Sequence, residues 1–452
     1  MGVERRGRAV RSCQSDQPPR LGGMSQISKP GSSGKSFDIP KMLIWEAYQK
    51  VKANKGAAGV DRQSLTDFAQ DEKRNLYKIW NRMSAGSYFP PPVRAVEIPK
   101  AGGAGVRVLG VPTVADRIAQ TAVAMVLEPV VDTIFHPDSY GYRPGRSALD
   151  AVATCQKRCW AQSWVIDLDI QAFFDTVPHE PILRAVGKHT DKPWVLLYIS
   201  RWLTAPVQQP DGTLLTRDRG TPQGSAISPL LTNLFMHYAF DTWLASTQST
   251  VRFERYCDDV VVHCFSEKQA LYIRRSIKER LARFGLVLHP EKTRIVYCNQ
   301  DGRIRQNETA EFTFLGYTFR PRYARKWDGG WKTGFLPAVS TTAKTHMAAE
   351  IRSWRLGRRT TLTFNEVAAM VNRIVAGWIN YYGRFYKAEL ISFLACRINP
   401  HLVKWAMRKF KHLHRSPHKA RERLAQIADI YPGMFIHWRH GALPDGSTVR
   451  AV

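Results

Sequence analysis

Cysteine and long apolar runs are both scarce in this chain. Its 452 residues include seven cysteines, an odd number without any C-x-x-C pair, which argues against a disulfide scaffold and against a zinc module. Cys155 and Cys159 stand one helical turn apart and are expected to pack rather than to bind metal. No stretch approaches ~18 consecutive apolar residues and no secretory h-region occurs, so neither a membrane span nor export is predicted. The sequence therefore indicates an intracellular protein of a reducing compartment.

Acidic residues are few compared with basic ones. The chain has 38 Asp and Glu against 66 Lys and Arg, a formal net charge of +28. Such a field repels itself unless a polyanion neutralises it, which predicts binding to nucleic acid or to an anionic membrane. The excess is concentrated from residue 320 onward, where 24 Lys and Arg face 7 Asp and Glu. This concentration favours RNA over a membrane as the partner, with binding that weakens as salt rises.

Two adjacent aspartates stand at the tip of a predicted β-hairpin. Asp258 and Asp259 lie between the apolar runs 251–253 and 260–262, a pattern that predicts two strands joined by a tight turn. Ionised carboxylates about 4 Å apart repel by roughly 4 kcal/mol at an effective dielectric of about 20. A structure that keeps such a pair usually holds a cation, and Mg²⁺ prefers oxygen ligands. The alternative is an ordinary turn, in which aspartate is common.

A second acidic segment favours the metal interpretation. Residues 164–170 alternate as a strand that carries Asp167 and Asp169 on one face, so alternation alone does not rank the two. The spacing to Phe173 and Phe174 favours Asp169. A strand that ends in one carboxylate beside a hairpin with two more would form a cluster of three. Such clusters hold two divalent ions that stabilise the attacking and leaving oxygens of phosphoryl transfer.

Nine segments of the chain resemble, in order, those of the reverse transcriptases encoded by group II introns. The most specific are Asp-Ile-Gln-Ala-Phe-Phe-Asp (169–175), Gly-Thr-Pro-Gln-Gly (220–224) and Tyr-Cys-Asp-Asp (256–259). The other six are 56–61, 107–117, 140–148, 289–293, 314–317 and 377–383. The resemblance runs from about residue 25 to the end. One departure is Cys257, where the family usually has alanine, and this exchange puts nucleotide selection beside the primer terminus in question.

The resemblance implies an α+β fold. We expect a right-hand polymerase, with fingers and a palm built on an antiparallel sheet, followed by an α-helical thumb or maturase domain and a small basic C-terminal domain. The implied regions are a flexible basic leader at 1–36, fingers with an N-terminal extension at 37–160, a palm with the active site at 161–335, the thumb at 336–411, and a basic DNA-binding-like region at 412–452. The expected type is bacterial and lacks a C-terminal nuclease domain.

The resemblance also implies the catalytic residues and metal ligands. Asp169, Asp258 and Asp259 are the expected catalytic carboxylates. Together with the carbonyl of Ile170 they would bind two Mg²⁺ ions, with Mn²⁺ as an alternative. Three unrelated surface aspartates are the opposing interpretation.

Further residues are assigned to nucleotide, primer and RNA by the same resemblance. The expected nucleotide-binding residues are Lys100, Arg107, Phe174, Gln223 and Lys292. Phe174 is the expected steric gate against a ribose 2′-hydroxyl, whereas Phe173 is expected in the core. Ordinary solvated positions remain the alternative for Lys100, Arg107 and Lys292. The expected primer grip is Leu315, Gly316 and Tyr317, and the expected RNA contacts are Arg373, Arg384 and Lys387.

These assignments predict an RNA-directed DNA polymerase that also binds its group II intron RNA, assists its splicing and copies it into DNA for mobility. The expected partners are intron RNA, an RNA template with a DNA primer, target DNA and deoxynucleoside triphosphates, without a membrane. A cytoplasmic, nucleoid-associated location follows, and the sequence predicts no particular oligomeric state. The alternatives are a domesticated host reverse transcriptase of the same fold and a maturase that acts in splicing only.

Overall fold

The computed structural model describes residues 35–99, 105–298, 310–325 and 329–444. The predicted nucleotide ligand Lys100 and the predicted leader up to residue 34 lie outside these ranges. The described chain forms three antiparallel or mixed sheets, with helices packed around them and a helical region at the C-terminal side.

The N-terminal region carries helices on either side of a long hairpin. Its elements are α1 (Lys41–Asn54), α2 (Leu65–Gln70), α3 (Glu72–Ser84), β1 (Val93–Pro99), β2 (Val106–Val111), α4 (Val114–Val131) and α5 (Ala148–Ala161). The sequence pattern predicts an amphipathic helix at 40–55 and a hairpin with strands at 93–99 and 106–111, and the structure confirms all three elements. Helix α5 begins with a capping box between Ser147 and Asp150, which satisfies amide groups at the helix start.

The central region holds the acidic segments. Its elements are β3 (Trp164–Leu168), α6 (Phe173–Thr176), α7 (His179–Gly187), α8 (Pro193–Thr204), β4 (Val207–Gln208), β5 (Leu214–Leu215), α9 (Ser228–Met236), a π-helix (His237–Asp241), α10 (Thr242–Thr247), β6 (Arg252–Tyr256), β7 (Asp259–Cys264), α11 (Glu267–Ala282) and β8 (Arg294–Tyr297). Strands β6, β7, β3 and β8 form one sheet in that order, and all its pairings are antiparallel. The antiparallel palm sheet is thus confirmed.

One predicted helix differs from the structure. The sequence predicts a continuous helix from Ser228 to about Leu244, capped by Ser228. Instead Ile227 occupies the cap position without a side-chain cap, and a π-helix interrupts the helix at His237–Asp241. The prediction was wrong because an apolar helical pattern does not reveal one inserted residue. Such π-segments are frequent at functional sites.

The C-terminal region is a three-stranded sheet followed by helices. Its elements are β9 (Phe312–Phe314), β10 (Tyr317–Arg325), β11 (Trp331–Val339), α12 (Thr341–Ser353), a 3₁₀ turn (Leu356–Arg358), α13 (Phe364–Tyr382), α14 (Lys387–Lys409), a second 3₁₀ turn (Lys411–Leu413), α15 (Pro417–Ile430) and α16 (Ile436–Arg439). One apolar cluster runs through all of these helices, from Val339 to Ala442. Residues after 411 therefore share the core of the preceding helices.

Candidate active site

The β3–β7 pairing brings the two predicted acidic segments together. Leu168 is paired with Val260 at the end of the ladder, so the next residues on the two strands are Asp169 and Asp259. Facing residues of an antiparallel pair have Cα atoms about 4.5–5.5 Å apart. The tight turn between Tyr256 and Asp259 carries Asp258 at the same end of the sheet. Asp169 thus meets, at one edge of the sheet, two carboxylates that lie 89 and 90 residues later in the chain.

The tip of this hairpin has an unusual backbone. Cys257 has φ = 62°, a left-handed conformation that costs free energy for residues other than glycine. Its side chain is 3% exposed, with Sγ 3.8 Å from the Thr232 hydroxyl on α9. A Cβ at Gly141 would lie 2.7 Å from the Cys257 amide nitrogen, so only glycine allows that loop to pack against the turn. The tip is therefore held by packing on both sides.

Burial makes the carboxylate cluster electrostatically unfavourable in the protein alone. Burial raises the pKa of Asp259 to about 6, and the negative charges of Asp258 and Asp169 add to this upward shift. Burial also raises the pKa of Asp258, and Arg107 opposes both shifts. These oxygens have the donor chemistry that Mg²⁺ prefers, and their uncompensated charge is what a divalent cation would neutralise. The donor set fits such an ion.

The structure distinguishes Asp167 from Asp169, which sequence alternation does not. Asp167 lies inside the ladder opposite Val261, and its carboxylate is 3.7 Å from Arg294. Burial raises its pKa to about 7, with Arg294 opposing. Asp169 lies beyond the last ladder pair, half-exposed, where its main chain accepts from the His289 amide at 2.8 Å. Asp167 is a fourth carboxylate beside the cluster, and Ile170 follows with a buried side chain.

One predicted nucleotide residue, Arg107, lies beside the cluster, and a second, Gln223, lies on a loop that packs against the same strand. Arg107 is exposed on β2 and is close enough to affect both hairpin carboxylates. The loop with Gln223 runs past the same strand, because the Gly110 amide donates to the Gln223 carbonyl at 2.6 Å. Gly224 has φ = 108°, and a Cβ there would lie 2.8 Å from the Gly110 carbonyl oxygen. This glycine permits the close approach of loop and strand.

Phe174 contacts the loop that carries Gln223. Its carbonyl accepts from the Thr221 amide at 2.7 Å, and its ring is half-buried. Phe173 is 2% exposed and lies edge-to-face with it at 5.5 Å between ring centroids. The expected core position of Phe173 is confirmed. The role of Phe174 as a gate stays a prediction.

Lys292 contacts the cluster directly. Its Nζ lies 3.0 Å from Asp169 Oδ2, and the two side chains are 64% and 36% exposed. An exposed pair of this kind contributes little to stability. The lysine is therefore available at the edge of the acidic site.

The predicted primer grip forms the junction with the helical region. Leu315 and Gly316 both have positive φ in the turn between β9 and β10. Their carbonyls accept from the Tyr381 hydroxyl at 2.8 Å and the Ser340 amide at 3.0 Å. Tyr317 is fully buried, and its hydroxyl donates to the Tyr381 carbonyl. Its ring is thus closed to nucleic acid, which leaves the turn itself as the predicted primer contact.

The predicted RNA contacts lie in the helical region. Arg373 is exposed on α13 and Arg384 is exposed between α13 and α14. Lys387, the first residue of α14, is half-buried, with Nζ 2.9 Å from His440 Nδ1. The first two are open to a ligand, whereas Lys387 is partly engaged.

Sequence reasoning missed the residue that supports the acidic hairpin. Arg255 is fully buried on β6, and each of its five N–H groups has an acceptor. It donates twice to Asp241, at 2.8 and 2.6 Å, and once to the Cys257 carbonyl at 3.0 Å. Its remaining acceptors are Asn233 Oδ1 and Ser139 Oγ, both at 2.8 Å. Charged residues in a strand beside the buried run 260–262 were the available signal.

The antiparallel palm sheet, the acidic cluster at its edge and the helices that follow define a right-hand nucleic acid polymerase. Two family models match this chain. Residues 98–319 match the reverse transcriptase (RNA-dependent DNA polymerase) family, and residues 344–423 match the maturase-specific domain of group II introns. The first match contains the acidic cluster, and the second begins in α12 and ends in α15.

Curated relatives agree with both matches. The chain is 28% identical over 265 residues to the group II intron-encoded protein LtrA of Lactococcus lactis, covering 58% of this chain and 42% of LtrA. It is 35% identical over 207 residues to protein YkfC of Escherichia coli, covering 44% and 53%. The putative COX1/OXI3 intron 2 protein of Saccharomyces cerevisiae is 30% identical over 209 residues, covering 44% and 23%. The matched part is about half or less of each relative.

A solved structure of telomerase from Candida albicans is also similar, with a TM-score of 0.44, 12% identity, and coverage of 82% of this chain and 67% of that chain. Residues 98–319 and 344–423 thus match a reverse transcriptase domain and a group II intron maturase domain, and the chain is similar to group II intron-encoded proteins. Among the described residues, no helix combines the length and apolar character that crossing a bilayer requires.

Proposed function

We propose that this protein is an RNA-directed DNA polymerase that also binds its group II intron RNA, assists splicing and copies the intron into DNA. The observation that supports the polymerase activity most is the strand register that brings Asp169 beside the Asp258–Asp259 turn. The reverse transcriptase family uses divalent metal ions. Asp169, Asp258 and Asp259, with the Ile170 carbonyl, would hold two Mg²⁺ ions. When bound, such ions stabilise the attacking and leaving oxygens of phosphoryl transfer.

The surrounding side chains would bind the nucleotide, the template and the primer. Arg107 can fork onto two phosphate oxygens of the incoming triphosphate, and its position beside the hairpin carboxylates supports that assignment. Gln223 would contact nucleotide and template from the glycine-flanked loop. Phe174 would exclude a ribose 2′-hydroxyl, and Lys292 would meet the departing pyrophosphate. The turn at Leu315–Tyr317 would position the primer.

The binding of intron RNA is supported by charge and by the maturase-domain match. The exposed residues Arg373 and Arg384 lie within residues 344–423. Contacts from guanidinium groups to phosphates fix the position of RNA without reading its sequence. Target DNA would be bound by the neighbouring basic surface after residue 411.

The decisive experiment is primer extension by an Asp258→Ala variant on an RNA template with a DNA primer. Extension should fall by at least about 10³-fold, because the variant loses a ligand to the ions that stabilise the reacting oxygens. Binding of intron RNA should stay within about two-fold. The fold should be equally or more stable, since the variant removes one of the repelling buried charges. EDTA should abolish extension by the unmodified protein, and added Mg²⁺ or Mn²⁺ should restore it.

Asp211→Ala is the matched control, because it removes an exposed aspartate from the tip of the β4–β5 turn. This variant should extend primers at the normal rate. Persistent extension by Asp258→Ala would refute the ligand assignment. A protein that binds and splices intron RNA but never extends a primer would instead be a splicing-only maturase.

A further inference from the structure

Five of the eight residues that line a cleft in the helical region are arginine or lysine. It has a volume of about 340 Å³ and lies between the C-terminal end of α12, the 3₁₀ turn and the last third of α14. Its charged or titratable lining residues are Arg352, Arg355, Arg358, His401, Lys404 and Arg408. Among the residues that line it there is no carboxylate. All but the half-buried His401 are exposed.

The cations are not explained by ion pairs inside the protein. Within the described ranges, none of the six has a carboxylate within 4.0 Å. Glu350, a nearby acid on α12, accepts instead from Trp354 Nε1 at 3.0 Å. Burial lowers the pKa of His401, and the charges of Lys404 and Arg352 lower it further. The cleft is thus a concentration of positive charge that a polyanion would relieve.

The cleft is a built feature rather than a set of mobile surface side chains. Arg355 has a left-handed backbone (φ = 47°), which turns the chain sharply after α12. Leu356 is fully buried beneath the turn. Trp405 Nε1 donates to the Arg359 carbonyl at 3.0 Å, and Arg408 Nη1 donates to the Gly357 carbonyl at 3.1 Å. These hydrogen bonds fix the turn on α14, so the two walls of the cleft, the turn and α14, are held at a constant distance.

We propose that this cleft binds the phosphate backbone of the intron RNA, as a contact separate from Arg373, Arg384 and Lys387. The proposal rests on the proposed function, and the cleft lies within the maturase-domain match. Lys387 and Lys404 are 17 residues apart on α14, or about 26 Å at 1.5 Å per residue. One RNA that contacted both would therefore extend over at least about 26 Å. The residues that line the cleft all lie at 352–358 and 401–408, and none of them belongs to the predicted catalytic, nucleotide or primer sites, so extension of a short primer–template should not depend on them.

The test uses the full chain with three substitutions, Arg352→Gln, Arg358→Gln and Lys404→Gln. Each side chain is exposed, so the thermal stability should stay close to normal. Affinity for a group II intron transcript should fall about ten- to hundred-fold at moderate salt. The slope of log affinity against log salt should become shallower by about two, because three phosphate contacts are lost. Extension of a short primer–template should stay within about two-fold.

A second triple variant controls for net charge. Lys73→Gln, Lys268→Gln and Lys278→Gln remove the same three charges from exposed positions on α3 and α11. This control should keep nearly normal affinity and slope for the transcript. The proposal is overturned if the cleft variant binds normally, or if both variants weaken equally. If the unmodified protein extended no primer, only the polymerase assignment would fail, because the comparison of transcript binding does not depend on primer extension.

Discussion

The central and C-terminal regions differ in where their charged side chains lie. Around the palm sheet, Arg255, Asp241, Glu254 and His263 are all fully buried and paired with one another or with Arg158. In the helical region the large core residues are apolar or neutral, such as Trp405 and Trp438, and most of the cations stand outside. A buried charged network fixes a geometry, whereas an exposed cationic face attracts a polyanion. The difference matches the catalysis proposed for one region and the RNA binding proposed for the other.

The largest expected effect breaks the buried pair in the palm. Arg255→Met or Asp241→Leu should each lower the free energy of unfolding by about 3–5 kcal/mol, because each leaves an uncompensated buried charge. The double variant should lose much less than the sum. Urea unfolding of the four proteins gives the comparison as a double-mutant cycle.

Arg373→Gln is the control from the helical region, because its side chain is exposed on α13. It should change the free energy of unfolding by less than about 0.5 kcal/mol. Primer extension by the Arg255 variant should fall even where it remains folded, since the Cys257 carbonyl loses its donor. If each single variant lowered the free energy of unfolding by less than about 1 kcal/mol, the Arg255–Asp241 pair would not be needed to hold the palm together.

An effect of intermediate size is expected from two buried histidines, which should give the two regions opposite pH dependences of stability. In the palm, burial would lower the pKa of His263, but Glu254, 2.6 Å from its Nε2, raises it to about 10. Its stabilising contribution is therefore complete below the unfolded pKa of about 6.5 and is lost as the pH rises towards 10. In the helical region, burial lowers the pKa of His437 to about 3. That contribution is complete above about 6.5 and is lost as the pH falls.

Hydrogen exchange at pH 5, 7.5 and 9.5 measures this contrast. Protection of α13 and α14 should weaken at the acid end, and protection of β6 and β7 at the alkaline end. His437→Gln should remove the acid response, because glutamine can still donate to Asn399 Oδ1, which lies 3.0 Å from His437 Nε2. Loss of protection in both regions at the same pH would contradict the assignment.

The smallest effect concerns Cys257. Its side chain is directed into the protein, towards Thr232 on α9, so the exchange from the alanine that is usual in the family should hardly affect substrate selection. Cys257→Ala should leave the rate of extension and the preference among deoxynucleotides within about two-fold. Cys396→Ala, at an exposed position on α14, is the control from the other region. A clear change in selectivity for Cys257→Ala alone would show that the turn transmits its packing to the nucleotide.

The sequence predicted local structure well where pattern and chemistry agreed. The β1–β2 hairpin and the turn between Tyr256 and Asp259 follow from alternating apolar residues around turn residues. Motif order identified the acidic residues and their family. The prediction was wrong at the helix after Ser228, since one extra residue in a π-helix leaves the apolar pattern intact.

Tertiary structure alone decided which groups act together. The spacing to Phe173 and Phe174 already favoured Asp169 over Asp167, but only the β3–β7 register, set by contacts across the sheet, places Asp169 opposite Asp259. The support from Arg255 depends on Asp241, Asn233 and Ser139, which lie on other elements. The basic cleft likewise joins α12 to residues about fifty positions later on α14. Composition and short-range pattern determine charge, elements and motifs, but such convergence depends on how the elements pack.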